Sequence, residues 1–310
     1  MILGLTPADK ITLLELITAA DDARSTGSLV INGALNVGTL TTFGRGYGIS
    51  ILGNGSQITQ NVSFLNTGVV ALGSAGSTVN FLGGFDAASG ATAPASVQLA
   101  GTIVSGPGTG AGMLMDTVVL AANTSLNSNN NAIQMGAIDG AFGLTLLSGI
   151  AGSSVEIGGV VGGTTRLGAI SVETGLTQVL FSQAVNATSF TTASGSSTTL
   201  EGNLNLTGAV NLGGTTTLRS VDEDAALAIS TSGGTVSGDL VLEESGGDGI
   251  SISSSGPLSV SGGVSGAVNL ALAGAGAKTF SGTVNVGSGR QPSPLTTASI
   301  WTQPEPAPLC

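Results

Sequence analysis

The sequence predicts an all-β protein drawn out as an elongated parallel β-helix, or β-solenoid, and three observations carry that prediction. From about Ser25 to Arg290 the chain is written in short runs of alternating apolar and polar residues, among them "SLVING", "GISILG", "TVNFLG", "SVEIGG", "NLNLTG" and "TVNVG". Alternation over four to six residues is the period of a half-buried strand, and the Gly, Asn and Ser that close each run form turns. More than twenty such runs follow one another with no helical pattern between them, which excludes an alternating β-α sheet. Composition is the third observation. Gly supplies 51 of 310 residues, 8% are charged and 3% aromatic, so a narrow interior of small aliphatic side chains is expected in place of a core built on large rings.

Three segments follow in order. Residues 1–24 hold the one helical signal, at 6–23 ("TPADKITLLELITAADDA"), read as a short amphipathic cap. Thr6 fits an N-cap, Pro7 the first helical position, and Asp9 the positive end of the helix dipole. Ile11, Leu14 and Ile17 would share one face, with Leu13 beside them; "ITLLELI" also fits a strand.

Residues 25–290 form the solenoid. A stack of β-sandwiches needs about seven strands per ~100 residues with bulky inward side chains, whereas these runs are shorter and closer together. In a solenoid each short strand pairs with its equivalent in the coils above and below, and small aliphatics fill the interior. At roughly 20 residues per coil the body would make about 13 coils and a rod about 60 Å long. Repetition is degenerate. GGTT-x-L occurs at 162–167 and 213–218, "GAVNL" at 208–212 and 266–270, and an apolar-Asn-apolar triplet at 35–37, 79–81, 204–206, 210–212, 268–270 and 284–286. Alternation turns each such Asn outward, but the triplets share no single spacing, so a continuous Asn ladder is not expected. Residues 291–310 hold five of the nine Pro and the only Trp, Trp301, and read as an extended Pro-rich tail.

Charge narrows the function classes. Net charge is −11, from 18 acidic and 7 basic residues with no basic cluster, which excludes a nucleic-acid stripe. No apolar run approaches the length of a membrane-spanning helix, and "MILGLTPADK" lacks the basic start and long apolar stretch of a signal peptide. The one Cys, Cys310, allows no intramolecular disulfide. With no His and no internal Cys, the Ser-His-Asp and Cys-His triads and the His-containing zinc sites are absent, leaving carboxylate, Lys, Tyr or Arg chemistry.

Three acidic groups are the candidates for such chemistry: Asp21 with Asp22; Asp222, Glu223 and Asp224; and Glu243, Glu244 and Asp248. Adjacent residues of an extended segment face opposite ways, so only Asp222 and Asp224 would converge, and only Arg219 lies near. These groups read as solvated acidic turns; weak Ca²⁺ binding is the next reading, and catalysis the last. "GGDGISI" occurs once and lacks the register of a Ca²⁺-binding repeat. "FGRGYG" (43–48) lacks the GK[ST] of a phosphate loop and reads as a turn housing the only Tyr. The Thr runs at 198–200 and 215–218 do not recur regularly, so no flat Thr array is expected. Catalytic, cofactor and metal sites are therefore all expected to be none.

Four segments, "VSFLNTGVVALGSAGSTVNFLGGF" (62–85), "SVQLAGTIVSGPGTG" (96–110), 117–149 with its "DGAFGLTL", and "VEIGGVVGGTTRLGAISVETG" (155–175), together resemble repeat-rich bacterial surface proteins of the filamentous haemagglutinin and autotransporter-passenger type. The resemblance spans roughly residues 25–290. It implies a right-handed β-helix or related solenoid and secretion or cell-surface display; the hydrated, uncharged Thr, Ser and Asn faces of such a rod suit weak repeated contact with glycans or with host or neighbouring cell surfaces. An export signal, a secretion domain or a C-terminal barrel would complete such a protein, and the Pro-rich tail departs from its pattern. A fragment or short stand-alone relative is therefore expected, served by export machinery if it is part of something larger. The expected role is a non-catalytic surface rod, adhesin-like or a structural passenger segment. A carbohydrate-active β-helix enzyme (lyase or hydrolase) and a pure spacer are the alternatives.

Overall fold

A computed structural model describes residues 2–3, 27–88, 92–108, 110–149, 152–221, 226–244 and 249–287. The expected helix at 6–23 and the Pro-rich tail lie outside them. Among the described residues there are strands and no helix, and every strand pairing is parallel. The fold is the β-solenoid that the alternating runs predict.

Each coil contributes up to three short strands, and equivalent strands stack into three faces. The third face is the simplest: eleven strands from Val62–Ser63 to Val284–Val286, each bonded only to the coil before and the coil after. The first face begins with Ile2–Leu3, which pairs with Gly27–Ile31, continues through Tyr47–Ile51 and ends at Leu270–Ala273; the second runs from Asn36–Val37 to Lys278–Phe280. Some strands turn from the first face onto the second without a break. In Val97–Ser105 the first half pairs with Val70–Leu72 and the second with Thr78–Phe81, and the pairing with the next coil slips between Leu99 and Gly101. Gly101 makes that corner at φ +71°, where a Cβ would meet Ser77 O at 2.4 Å.

Eleven complete coils follow a first coil built from Gly27–Ile31 and Asn36–Val37. Ten steps carry the third face from Val62 to Val284, so an average coil takes a little over twenty residues. The steps are uneven, the shortest carrying Thr198 to Thr216 and the longest Phe85 to Met113. Coils are thus longer and fewer than the expected 13 or so, and at about 4.8 Å per coil eleven of them span about 50 Å.

Variable coil length also explains why repeated phrases keep no common place. The first GGTT-x-L lies in a bend that ends where Leu167–Val172 begins; the second runs from a bend into the third-face strand Thr215–Ser220. Likewise "GAVNL" ends in the second-face strand Val210–Leu212 at its first occurrence, but at its second it leads from the third face into Leu270–Ala273 of the first. Such a phrase specifies alternation and a turn, not a rung.

One continuous apolar column fills the rod, from Leu29 to Val268. Most of it is Val, Ile and Leu, as composition predicts. Aromatic rings contribute more than expected: five of the eight Phe are fully buried. Phe64, Phe81 and Phe85 form one cluster with centroids 4.7–6.3 Å apart, and Phe181 packs edge-on against Phe190 at 5.5 Å. At the last coil Leu270, Leu272, Phe280, Val284 and Val286 are only partly buried.

Glycines line the corner between the second and third faces. A Cβ at Gly238 would lie 2.0 Å from Gly214 O, one at Gly262 1.9 Å from Gly238 O, and one at Gly282 2.1 Å from Gly262 O. Each corner rests directly on the backbone of the corner below, and only a residue without a side chain fits there.

Candidate functional site

The acidic groups picked out by sequence divide between described and undescribed residues. Asp21, Asp22, Asp222, Glu223, Asp224 and Asp248 lie outside the described residues, as does the side chain of Glu244. Glu243 is described, and it is paired. Arg219 Nε donates to Glu243 Oε2 at 2.8 Å and its Nη1 to Glu201 Oε1 at 3.1 Å, so one guanidinium ties three successive coils of the third face. The hydrogen bond to Glu243 is the main cause that raises the Arg219 pKa; burial opposes it, and the bond to Glu201 and both carboxylate charges add to it.

Other cations also serve the scaffold. Arg166 donates to the carbonyls of Ala187 and Asn205, and Lys278 Nζ to those of Gly274 (2.6 Å), Gly276 (2.7 Å) and Ser254 (3.2 Å). "FGRGYG" bends at 44–46, with Arg45 Nη1 on Gly44 O at 3.1 Å. Tyr47 itself starts the next strand, buried, its hydroxyl accepting from Phe43 N at 2.8 Å. Among the described residues no three His, Cys, Asp or Glu gather as a metal site.

On the third face a hollow of about 270 Å³ is lined by Leu114, Met115, Asp116, Gln134, Met135 and Glu156, among others. Gln134 Nε2 donates to Glu156 Oε2 at 3.3 Å. The Thr runs also lie on the third face. Thr198 and Thr216 point inward, fully buried and stacked on each other, and neither hydroxyl meets a protein partner. Thr217 points outward, so these runs do not make an exposed array.

The array lies on the second face, where no sequence signal marks it. One outward position of every coil from the third onward holds a short polar side chain: Thr78, Thr102, Ser125, Thr145 and Ser171, then Thr191, Asn211, Thr235, Ser259 and Thr279. Adjacent rungs are direct partners across parallel strands, hence about 4.8 Å apart. The side chains are half-buried from Thr78 to Asn211 and exposed from Thr235 to Thr279. Thr235 Oγ1 donates to Asn211 Oδ1 at 3.0 Å and Ser171 Oγ to Glu173 Oε1 at 2.6 Å. Among the described residues, the side chains of the other seven rungs make no hydrogen bond within the protein; Thr78 donates through its backbone N to Asn54 Oδ1 at 2.9 Å.

The expectation of no flat Thr array concerns the Thr runs at 198–200 and 215–218; the mixed Thr, Ser and Asn ladder is a separate feature that those runs do not mark. Rungs are unevenly spaced along the chain and mix Thr, Ser and Asn, so no fixed period finds them; the step from Thr145 to Ser171 is longer than the step from Ser171 to Thr191. Asn205 Nδ2 donates to Asn186 Oδ1 at 3.0 Å across adjacent coils, the kind of contact that a continuous Asn ladder would repeat.

Compared with protein-family models, curated proteins and solved structures, the chain finds no match in any of the three.

Proposed function

We propose that this chain is a non-catalytic rod that presents extended uncharged surfaces outside the cell, an adhesin-like or structural passenger segment of a bacterial exoprotein. The observation that carries the reading is the second-face ladder, ten short polar side chains in single file with most of their hydrogen-bonding capacity unspent. A solenoid extends such a display one coil at a time, which suits many weak contacts along a length better than one deep pocket. Arg219, Arg166 and Lys278 are engaged within the scaffold, so these cations serve the coils. The resemblance to haemagglutinin and autotransporter-passenger repeats points the same way.

Fractionation of the native organism with an antibody against residues 27–287 tests this. Surface or medium localisation, with binding of the recombinant rod to cells, is the expected result; a cytoplasmic pool alone would refute it. A second reading, a carbohydrate-active enzyme, draws on the third-face hollow, where Asp116 and Glu156 both line one depression. Polysaccharide turnover abolished by Asp116→Asn or Glu156→Gln would favour that reading.

A further inference from the structure

We infer that the second-face ladder is a docking strip for a neutral, β-1,4-linked polysaccharide lying along the rod axis. The inference deepens the surface-display reading and rests on it. Three features define the occupant.

Charge is the first. The chain carries a net charge of −11, yet every rung from Thr78 to Thr279 is uncharged. The positions two residues before and after each rung from Thr191 to Thr279 hold only Ser, Ala, Gly and Pro, such as Ser189 and Ala193 around Thr191. Along that half of the strip the rungs and these flanks offer a polyanion no cation and a polycation no carboxylate, so the matching partner is neutral.

Hydrogen-bonding capacity is the second. Elsewhere in the rod, corner hydroxyls are spent on the scaffold: Ser56 Oγ donates to Gly53 O at 2.7 Å and Thr231 Oγ1 to Gly233 O at 2.8 Å. The uncommitted ladder oxygens can each donate and accept, which is the chemistry that recognises sugar hydroxyls.

Shape is the third. The ladder runs along the coil axis, repeats about every 4.8 Å, and extends about 43 Å over its nine steps. Along the half from Thr191 to Thr279 the small flanking residues leave no walls, so that half of the strip accepts a ribbon and gives no enclosure to a single sugar. A β-1,4-linked chain is such a ribbon, with hydroxyls along its edge once per sugar. Each rung contributes little, and affinity accumulates with chain length.

The full chain is tested for retention on microcrystalline cellulose and by titration with cellobiose and cellohexaose. The ladder variant is Thr191→Val, Ser259→Ala and Thr279→Val, which removes hydroxyls at rungs that bond to no other side chain. The control, Thr217→Val with Ser265→Ala, removes outward hydroxyls on the third face. The expected result is retention by the native and control proteins, cellohexaose binding roughly tenfold or more tighter than cellobiose, and roughly tenfold or more weakening in the ladder variant.

Circular dichroism checks that all three proteins are folded. Equal binding by the ladder variant would overturn the ladder assignment while leaving the surface-display reading standing. Absence of binding by the native protein would overturn the polysaccharide assignment, and fractionation would still decide localisation. Ice shaping by the native protein that is lost in the ladder variant, without cellulose retention, would also overturn it and assign the strip to ordered water.

Discussion

Replacing Gly262 with Ala adds one methyl group where the rod has no room for it. The new Cβ would sit 1.9 Å from Gly238 O and 2.5 Å from Gly238 C, backbone atoms of the coil below. To reach even a tight contact of 3.0 Å, that gap must open by more than an ångström. The coils are only about 4.8 Å apart, so the opening strains the bonds joining them here. Ser261 N donates to Val236 O at 2.8 Å and Leu240 N to Gly263 O at 2.8 Å. Gly262 is not among the positive-φ glycines, so the cost is steric and not conformational. Overpacking costs about 1–3 kcal/mol and each of the two weakened hydrogen bonds about 1 kcal/mol more, about 3–5 kcal/mol together.

Two other glycines separate the causes. Gly55, at φ +79° with nothing within 4 Å of where the methyl group would sit, should lose about 1–2 kcal/mol on conversion to Ala through backbone strain alone. Gly38, with open space and no positive φ, should be neutral or stabilised by up to about 1 kcal/mol. Urea denaturation followed by circular dichroism measures all three. An order of Gly262→Ala far below Gly55→Ala, and that below Gly38→Ala, is predicted. If Gly262→Ala were as stable as Gly38→Ala, the corner stacking would be wrong.

Phe85→Ala removes the ring closest to Phe81 and should cost about 3–5 kcal/mol in the same denaturation experiment; a loss under about 1 kcal/mol would contradict the aromatic cluster. Thr198→Val and Thr216→Val remove buried hydroxyls without a protein partner and should each stabilise by about 1 kcal/mol, whereas a loss of stability would show those hydroxyls to be satisfied. Arg219→Met should cost about 1 kcal/mol or less at low salt, shrinking as salt rises, because the triad is partly exposed. The raised Arg219 pKa gives a contribution fully present below the unfolded-state value and lost only as pH climbs through the still higher folded one. Its stability contribution should therefore be flat from about pH 6 to about pH 9; a fall across that window in the native protein but not in Arg219→Met would refute the assignment.

Fold class was legible because it rests on alternation, which survives coil by coil. Leu35–Val37, Val79–Phe81 and Leu204–Leu206 all bury the outer pair and turn the Asn outward, as period two requires. Coil number and rung register were not legible, since the short step from Thr198 to Thr216 and the long one from Phe85 to Met113 close the same triangle through corners of different length. The ladder stayed hidden for the same reason. Thr145 pairs with Ser171 and Ser171 with Thr191, although the first two are farther apart in sequence than the second two. The conspicuous Thr runs misdirect the eye, because tandem threonines on a strand point to opposite faces and half of them enter the core. Arg219 stands out by its sequence neighbourhood, but its partner Glu201 comes from the preceding coil, a contact that only the register reveals.

The register of the second face is the claim on which the ladder and its proposed partner both depend, and distances between paired spin labels test it most directly. Labels placed at Thr102 and successively at Thr145, Thr191, Thr235 and Thr279 are two, four, six and eight coils apart. The predicted separation grows by about 10 Å at each step, to about 38 Å at Thr279. Distances that do not rise in even steps with coil number would contradict the parallel solenoid register, and the ladder with it.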